Sequence, residues 1–321
     1  MKFIDYLYKK IKFNDLQSYA IFYYQDGECF EKCVGKLSDE NSANITFNSN
    51  FRLASVTKQF IAFGIVKLIN EGLLKFDTNI LEIYPNLPSY FKNITIKHLL
   101  NHTSGIMDYE DMPHTDLQIN DEDILKFLEI TTTTYFTPGE KYQYSNTAYI
   151  LLGLIISKVS NRDLDEYIKN EIFIPSKMAN SIVNYEGVTN VAERAYGHIV
   201  KDKKLIVKDQ YWCSATIGDG GIYSSINDLK NWLKYLVTTQ EFSLMKIPNL
   251  AGNYNEYGLG IRIINVLGKE IIYHSGSTSG TKTLLLFSQD LNICLIFLTN
   301  FDDFNGTTLK EVLVEYLEEY N

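Results

Sequence analysis

Cysteine is scarce. Four occur in 321 residues, too few for the disulfide framework of a small secreted scaffold. Cys29 and Cys33 fall in a segment that reads as a strand, where four residues span about 13 Å, beyond what a disulfide tolerates. Neither spacing nor neighbouring histidines complete a zinc set, so they are read as ordinary thiols. Blocks of lysine or arginine are also missing: 30 basic against 39 acidic side chains leave a net charge of −9, with the charges scattered. Phosphate binding is driven by clustered cations, which argues against a nucleic-acid partner. The longest apolar run, residues 148–156, is far short of the roughly 20 residues of a membrane span. Residues 1–17 alternate charged and apolar side chains and lack the apolar stretch and cleavage site of a secretory signal, so the chain reads as cytoplasmic. It contains no internal repeat and no low-complexity segment.

What is present is a composition of 45 % hydrophobic and 21 % charged residues, that of a soluble globular protein. The length is about twice that of an ordinary domain. Residues 18–36 read as two strands around Gln25-Asp26-Gly27-Glu28, a hairpin turn because Asp-Gly supplies the required positive φ. Residues 55–71 predict a helix apolar over so much of its circumference that it is buried, with Gly72 as its stop. Between 77 and 190 the pattern is helical, over 96–101, 121–130, 147–159 and 163–170, punctuated by Pro85, Pro88, Pro138 and Pro175. Strand patterns return at 257–265, 270–274, 281–287 and 292–298, with turns at 267–269, 275–280 and 288–291. Residues 308–320 close the chain as an amphipathic helix. Strands at both ends imply an antiparallel sheet assembled from the two termini, covered by helices. The expected division is 1–76 with 191–321 as a sheet-containing α/β (α+β) domain and 77–190 as a mainly helical lobe, with a site in the cleft between them.

Three short patterns carry possible chemistry. Ser55-Val56-Thr57-Lys58 places a hydroxyl and an amine at i and i+3, on one helix face with Cβ atoms roughly 5–6 Å apart. The lysine can take the serine's proton if burial and nearby positive potential keep it partly neutral. The same spacing recurs at Ser89–Lys92, Ser243–Lys246 and Ser279–Lys282, but only Ser55 opens a long buried helix. Tyr144-Ser145-Asn146 sits at a loop-to-helix junction after Thr137-Pro138-Gly139-Glu140. His274-Ser275-Gly276 ends an apolar strand and runs into Ser277-Thr278-Ser279-Gly280.

In this order and spacing the chain resembles the penicillin-recognising serine hydrolases, specifically the class C β-lactamase-like branch with its D-amino-acid peptidases and family VIII-type esterases, through their Ser-x-x-Lys, Tyr-x-Asn and Lys/His-x-Gly motifs. Leu99-Leu100-Asn101-His102-Thr103-Ser104-Gly105, Gly220-Gly221-Ile222-Tyr223-Ser224 and the segment YGLGIRI also resemble signatures of that branch. The resemblance implies a β-lactamase/transpeptidase-like fold, a five-stranded antiparallel sheet flanked by helices plus a mainly helical lobe. It implies that Ser55 is acylated, that Lys58 and Tyr144 share the proton transfers, and that Asn146 binds the substrate amide. The N–H groups of Ser55 and Ser277 would form the oxyanion hole. His274 stands where class C β-lactamases carry lysine. Histidine is only partly charged near neutral pH, so it is expected to hold a substrate carboxylate less firmly, which points toward D-amino-acid peptides or esters rather than efficient β-lactam turnover.

The expected function is therefore a serine acyl-hydrolase, monomeric, acting on a small-molecule or short-peptide amide, ester or lactam without metal or organic cofactor. The alternative is a penicillin-binding sensor that is acylated without turning over. His98 and His102 have the spacing of a zinc pair but lack the glutamate of His-Glu-x-x-His; His102 is read as supporting the Thr103-Ser104-Gly105 turn. The glycines at 218–221 match no phosphate loop and are read as permitting close backbone approach. Thr278 occupies the nucleophile position of 276–280, a near miss to Gly-x-Ser-x-Gly, so an α/β-hydrolase is disfavoured.

Overall fold

A computed structural model describes residues 1–13, 16–38, 43–113, 117–202, 204–248, 256–302 and 306–320. The chain opens with helix α1 (Phe3–Lys10) and the hairpin β1 (Tyr19–Gln25) and β2 (Glu28–Val34). Asp26 and Gly27 turn it with φ of 48° and 92°, as the Asp-Gly pair requires. A short strand β3 (Phe51–Arg52) leads through a single 3₁₀ turn (Ala54–Val56) into α2 (Thr57–Asn70), which ends where Gly72 takes a φ of 77°. Helices follow: α3 (Ile80–Ile83), α4 (Ile96–Leu100), α5 (Asp121–Ile130), α6 (Asn146–Ser160) and α7 (Leu164–Ile168), the last continuing as a π-helical turn. Short strands β4 (Ile182–Val183), β5 (His198–Lys201), β6 (Lys204–Val207) and β7 (Ile222–Ser224) precede helices α8 (Ile226–Leu236) and α9 (Gln240–Met245). The chain closes with β8 (Arg262–Val266), β9 (Lys269–Thr278), β10 (Thr281–Ser288), β11 (Ile293–Thr299) and α10 (Gly306–Tyr320).

The main sheet is antiparallel, in the order β2-β1-β11-β10-β9-β8. The strands from both ends of the chain meet where β1 pairs with β11, Tyr19 opposite Thr299 and Gln25 opposite Ile293. The six strands read from the sequence all appear, β8 in the second half of 257–265, so the sheet has one strand more than the five the family resemblance implied. Strand alternation sends Ala20, Phe22, Leu285, Ile296 and Leu298 toward α2, α6 and α8, and sends Ile21, Leu284, Leu286, Leu295 and Phe297 under α1 and α10. Helix α2 is buried nearly all round, from Thr57 and Lys58 to Leu68.

Several expectations are corrected. Residues 257–261 bend instead of extending, because Gly260 adopts a φ of 70° and a Cβ there would lie 2.5 Å from the Lys58 carbonyl. Residues 275–278 are strand, not turn: β9 continues alongside β10 with Ser277 opposite Lys282, and Gly276 lets it press against Leu53, whose carbonyl a Cβ would meet at 2.2 Å. Helix α1 and the small sheet β3-β7-β4 had no counterpart in the sequence pattern. Among the described residues, no helix is long and apolar enough to cross a membrane.

Candidate active site

Ser55 lies in the 3₁₀ turn that starts α2. The residue before it, Ala54, is held at φ 48°, a conformation costly for a side-chain-bearing residue. The surroundings enforce it: Leu53 N–H donates to the Ile222 carbonyl at 2.8 Å, and Thr283 Oγ1 donates to the Leu53 carbonyl at 2.8 Å. The strained turn presents the hydroxyl at a helix start, where backbone N–H groups lack intrahelical acceptors.

One turn further, Lys58 is fully buried. Its Nζ donates to Asn146 Oδ1 at 2.7 Å and to the Asp219 carbonyl at 3.0 Å, and lies 3.1 Å from Ser55 Oγ. Two acceptors orient the amine, and its third position faces the serine. As an ammonium it donates there; as an amine it offers its lone pair. It also stands 5.0 Å from the ring centre of Tyr144.

Asn146 is the first residue of α6, and the sequence supplies the cap: Ser145 Oγ accepts from Ala148 N–H at 3.1 Å, and Asp108 Oδ2 accepts from Asn146 N–H at 2.6 Å. Tyr144 is placed by His102. That ring packs on Tyr144 with centroids 4.3 Å apart, and its Nδ1 accepts from Ser145 N–H at 3.1 Å. Thus His102 supports more than the neighbouring turn: it seats the Tyr144-Ser145-Asn146 segment. His98 is engaged elsewhere, accepting from Thr95 N–H in the cap of α4. The Tyr144 hydroxyl is buried without a hydrogen-bond partner among the described residues.

His274 is 1 % exposed, with Nε2 3.2 Å from the Tyr257 hydroxyl and Nδ1 2.8 Å from the Ser275 carbonyl. Burial, then the charges of Arg262 and Lys58, holds it well below its ordinary value. It is therefore neutral near pH 7 instead of partly charged. His102 is depressed likewise, by burial first and then Lys58, His274 and Arg262. Ser277 follows on the same strand, where β8 pairs with β9 only as far as Tyr273; Lys282 Nζ donates to its Oγ at 2.7 Å and pairs with Asp302.

The geometry thus brings Ser55, Lys58, Tyr144 and Asn146 around one amine, with His274 linked through ring contacts to Tyr144 at 6.3 Å. Sequence reasoning missed several participants. Arg262 places its guanidinium 5.5 Å from the Tyr144 ring centre and 5.4 Å from that of Tyr257; it lies in the YGLGIRI segment, whose pattern marked it only as strand. Asp219 contributes its carbonyl to Lys58 and accepts from the Tyr109 hydroxyl at 2.8 Å. Glu110 reaches the Asn146 side chain, and its carboxyl is raised by burial and by Asp108 and Asp219, while Lys58 lowers it. Asp219 lies within the glycine run 218–221, read only as permitting close backbone approach, and nothing local in the sequence marks Glu110.

Known proteins resemble this chain in sequence and fold. The family model described as Beta-lactamase matches residues 12–315. Penicillin-binding protein 4* of Bacillus subtilis (strain 168) is 29 % identical over 282 residues, covering 80 % of this chain and 62 % of that protein. Protein flp of Staphylococcus aureus (strain N315) is 25 % identical over 303 residues, covering 88 % and 59 %. The chain thus spans about six-tenths of the length of these curated relatives. Among solved structures, the octameric penicillin-binding protein homologue from Pyrococcus abyssi superposes with a TM-score of 0.82 at 25 % identity, covering 99 % of this chain and 76 % of that one. D-amino acid amidase from Ochrobactrum anthropi SV3 gives 0.78 at 23 %, covering 94 % and 93 %, a likeness of fold. With the fold, the order of motifs and the family match in agreement, the chain belongs to the Beta-lactamase family of serine-hydrolase-fold proteins.

Proposed function

We propose that the protein is a serine acyl-hydrolase working through an acyl-Ser55 intermediate on small amides or esters. The observation that carries this reading is the position of Lys58 Nζ, fixed by Asn146 and Asp219 with its remaining direction on Ser55 Oγ. Ser55 Oγ attacks the substrate carbonyl while its proton passes to the Lys58–Tyr144 pair. The N–H groups of Ser55 and Ser277 stabilise the oxyanion, each donor contributing about 3–4 kcal/mol in enzymes of this kind. The leaving group departs with the proton, and water activated beside Tyr144 releases the acyl group. Asn146 and His274 complete the substrate contacts. The site belongs, in this reading, between a sheet domain (1–76 with 191–321) and a helical lobe (77–190).

Charge on the two sides favours a substrate bearing an amine on its acyl part. Glu110, Asp108 and Asp219 stand on the Asn146 side, Arg262 on the β9 side, and His274 is neutral. A free ammonium is matched by the first group and a carboxylate or carbonyl by Arg262. This supports free-amine amino-acid amides or short peptides over β-lactams, and the D configuration is taken from the named activity of the amidase whose fold is shared.

Intact-mass measurement after a fluorophosphonate probe tests the nucleophile: one adduct at Ser55, absent from Ser55→Ala, is expected. Side-by-side turnover of D-phenylalanine amide, its N-acetyl derivative, a p-nitrophenyl ester and nitrocefin tests the class, with the free amine preferred. An unmodified Ser55 overturns the hydrolase reading. An adduct with a β-lactam that persists for hours without product selects the sensor instead.

A further inference from the structure

Asp121 is the first residue of α5, yet it does not cap the helix. Asn120 and Asp123 do that reciprocally, Asn120 Oδ1 accepting from Asp123 N–H at 3.1 Å and Asp123 Oδ2 from Asn120 N–H at 3.2 Å. No cation pairs with Asp121 among the described residues. Instead its Oδ1 accepts from Ile217 N–H at 2.7 Å and its Oδ2 from Gly218 N–H at 3.1 Å. Burial pushes its carboxyl up to about 7, so keeping it ionised costs stability, and a carboxylate so placed without a cation is rare unless its hydrogen bonds are used.

Those two N–H groups begin the turn that carries the next residue, Asp219, whose carbonyl holds Lys58. The turn closes on itself, Gly220 and Gly221 N–H both donating to the Ile217 carbonyl. It has no room to slide toward α6, because a Cβ on Gly218 would already lie 2.5 Å from the Tyr149 carbonyl. Beside the turn lies a cavity of about 980 Å³ whose wall includes Asp121, Ile217 and, from α6, Gly153. Further along the turn Arg52 Nε donates to the Gly220 carbonyl at 3.2 Å and the Tyr109 hydroxyl to Asp219 Oδ2 at 2.8 Å, while the Asp121 carboxylate grips the N–H groups at its start.

We propose that Asp121 is a positioning residue for the acylation step: by gripping the Ile217 and Gly218 N–H groups it fixes the Asp219 carbonyl that aims Lys58 at Ser55. The proposal rests on reading Ser55 and Lys58 as nucleophile and proton acceptor. Asp121 touches neither the substrate nor the reacting atoms.

The test compares the intact protein with Asp121→Asn, which keeps the shape and one acceptor, and Asp121→Ala, which removes both. Single-turnover acylation by p-nitrophenyl acetate is expected to slow about tenfold in the first and about a hundredfold in the second, with the half-saturating ester concentration within twofold of the parent. Amide exchange at Ile217 and Gly218 accelerates in the same order. If Asp121→Ala does not fold, the Asn variant alone decides. Acylation by Asp121→Asn within twofold of the parent overturns the proposal, as does an equal loss from weaker ester binding. A parent protein not acylated at Ser55 at all is a different result, which removes the hydrolase reading and this role with it.

Discussion

The two faces of the main sheet are built from the same strands and do different work. The face under α1 and α10 is apolar and aromatic: Phe3 and Tyr23 rings lie 4.5 Å apart, and Phe297 packs with Tyr19 and Phe13. The face toward α2 and α6 is as deeply buried but houses Lys58, Gln59, His102 and His274. Some of its polar atoms, the Tyr144 hydroxyl and Asp219 Oδ1 among them, have no partner among the described residues. Unpartnered buried polar groups cost roughly 1–3 kcal/mol each. One face thus supplies stability, and the other gives some of it up to house buried polar groups.

The contrast can be broken first at Lys58. Lys58→Met is expected to lower acylation of Ser55 by about 10³-fold or more, read as the burst with a chromogenic ester; a loss below tenfold erases the difference between the faces. On the opposite side, Phe297→Ala is expected to cost about 3–5 kcal/mol, measured from the urea midpoint. Activity per folded molecule should stay within twofold, and a specific loss of turnover would contradict the division of labour. Tyr144→Phe sharpens the comparison, because its hydroxyl has no partner to lose: thermal stability should hold while turnover falls about 10²-fold.

The smallest effect concerns pH. His102 and His274 are depressed in the folded protein, so the stability they contribute is present above the ordinary histidine value near 6.5 and lost as pH falls below it. The melting temperature should therefore decline on acidification below about pH 6.5. Asp121, with its carboxyl raised to about 7, acts in the other sense, its contribution falling as pH rises from the ordinary carboxylate range toward 7. Asp121→Asn should make the acid-side decline steeper, and an unchanged slope would contradict the assignment of charges.

Much of this was legible in the sequence because it is local. Asp26-Gly27 dictates its turn, the apolar circumference of α2 dictates burial, and the Ser55, Tyr144 and His274 motifs come with flanking residues that set backbone shape. The remainder is tertiary. Asp121 resembles any acidic residue in a first helical turn until the 217–221 turn is folded against it, and Arg262 resembles a solvated strand residue until β8 is laid beside β9. Composition misled at 275–278, where serine and glycine suggest a turn. Pairing with β10 and the close approach to Leu53 outweigh local preference there. In 257–261 the apolar pattern suggested a strand, but the approach of Gly260 to Lys58 required a bend.

The end of β9 has a bearing on solubility. Beyond Tyr273 its outer margin lacks β8, and bare strand margins invite other chains to pair with them. Among the described residues the length without a strand partner on this side is 274–278, and it stops at the Ser279-Gly280 reversal. A docking peptide can make a few backbone contacts before it runs out of strand, whereas a growing stack of copies finds no continuous template. Such brevity limits how many backbone groups of any added strand this margin could pair with.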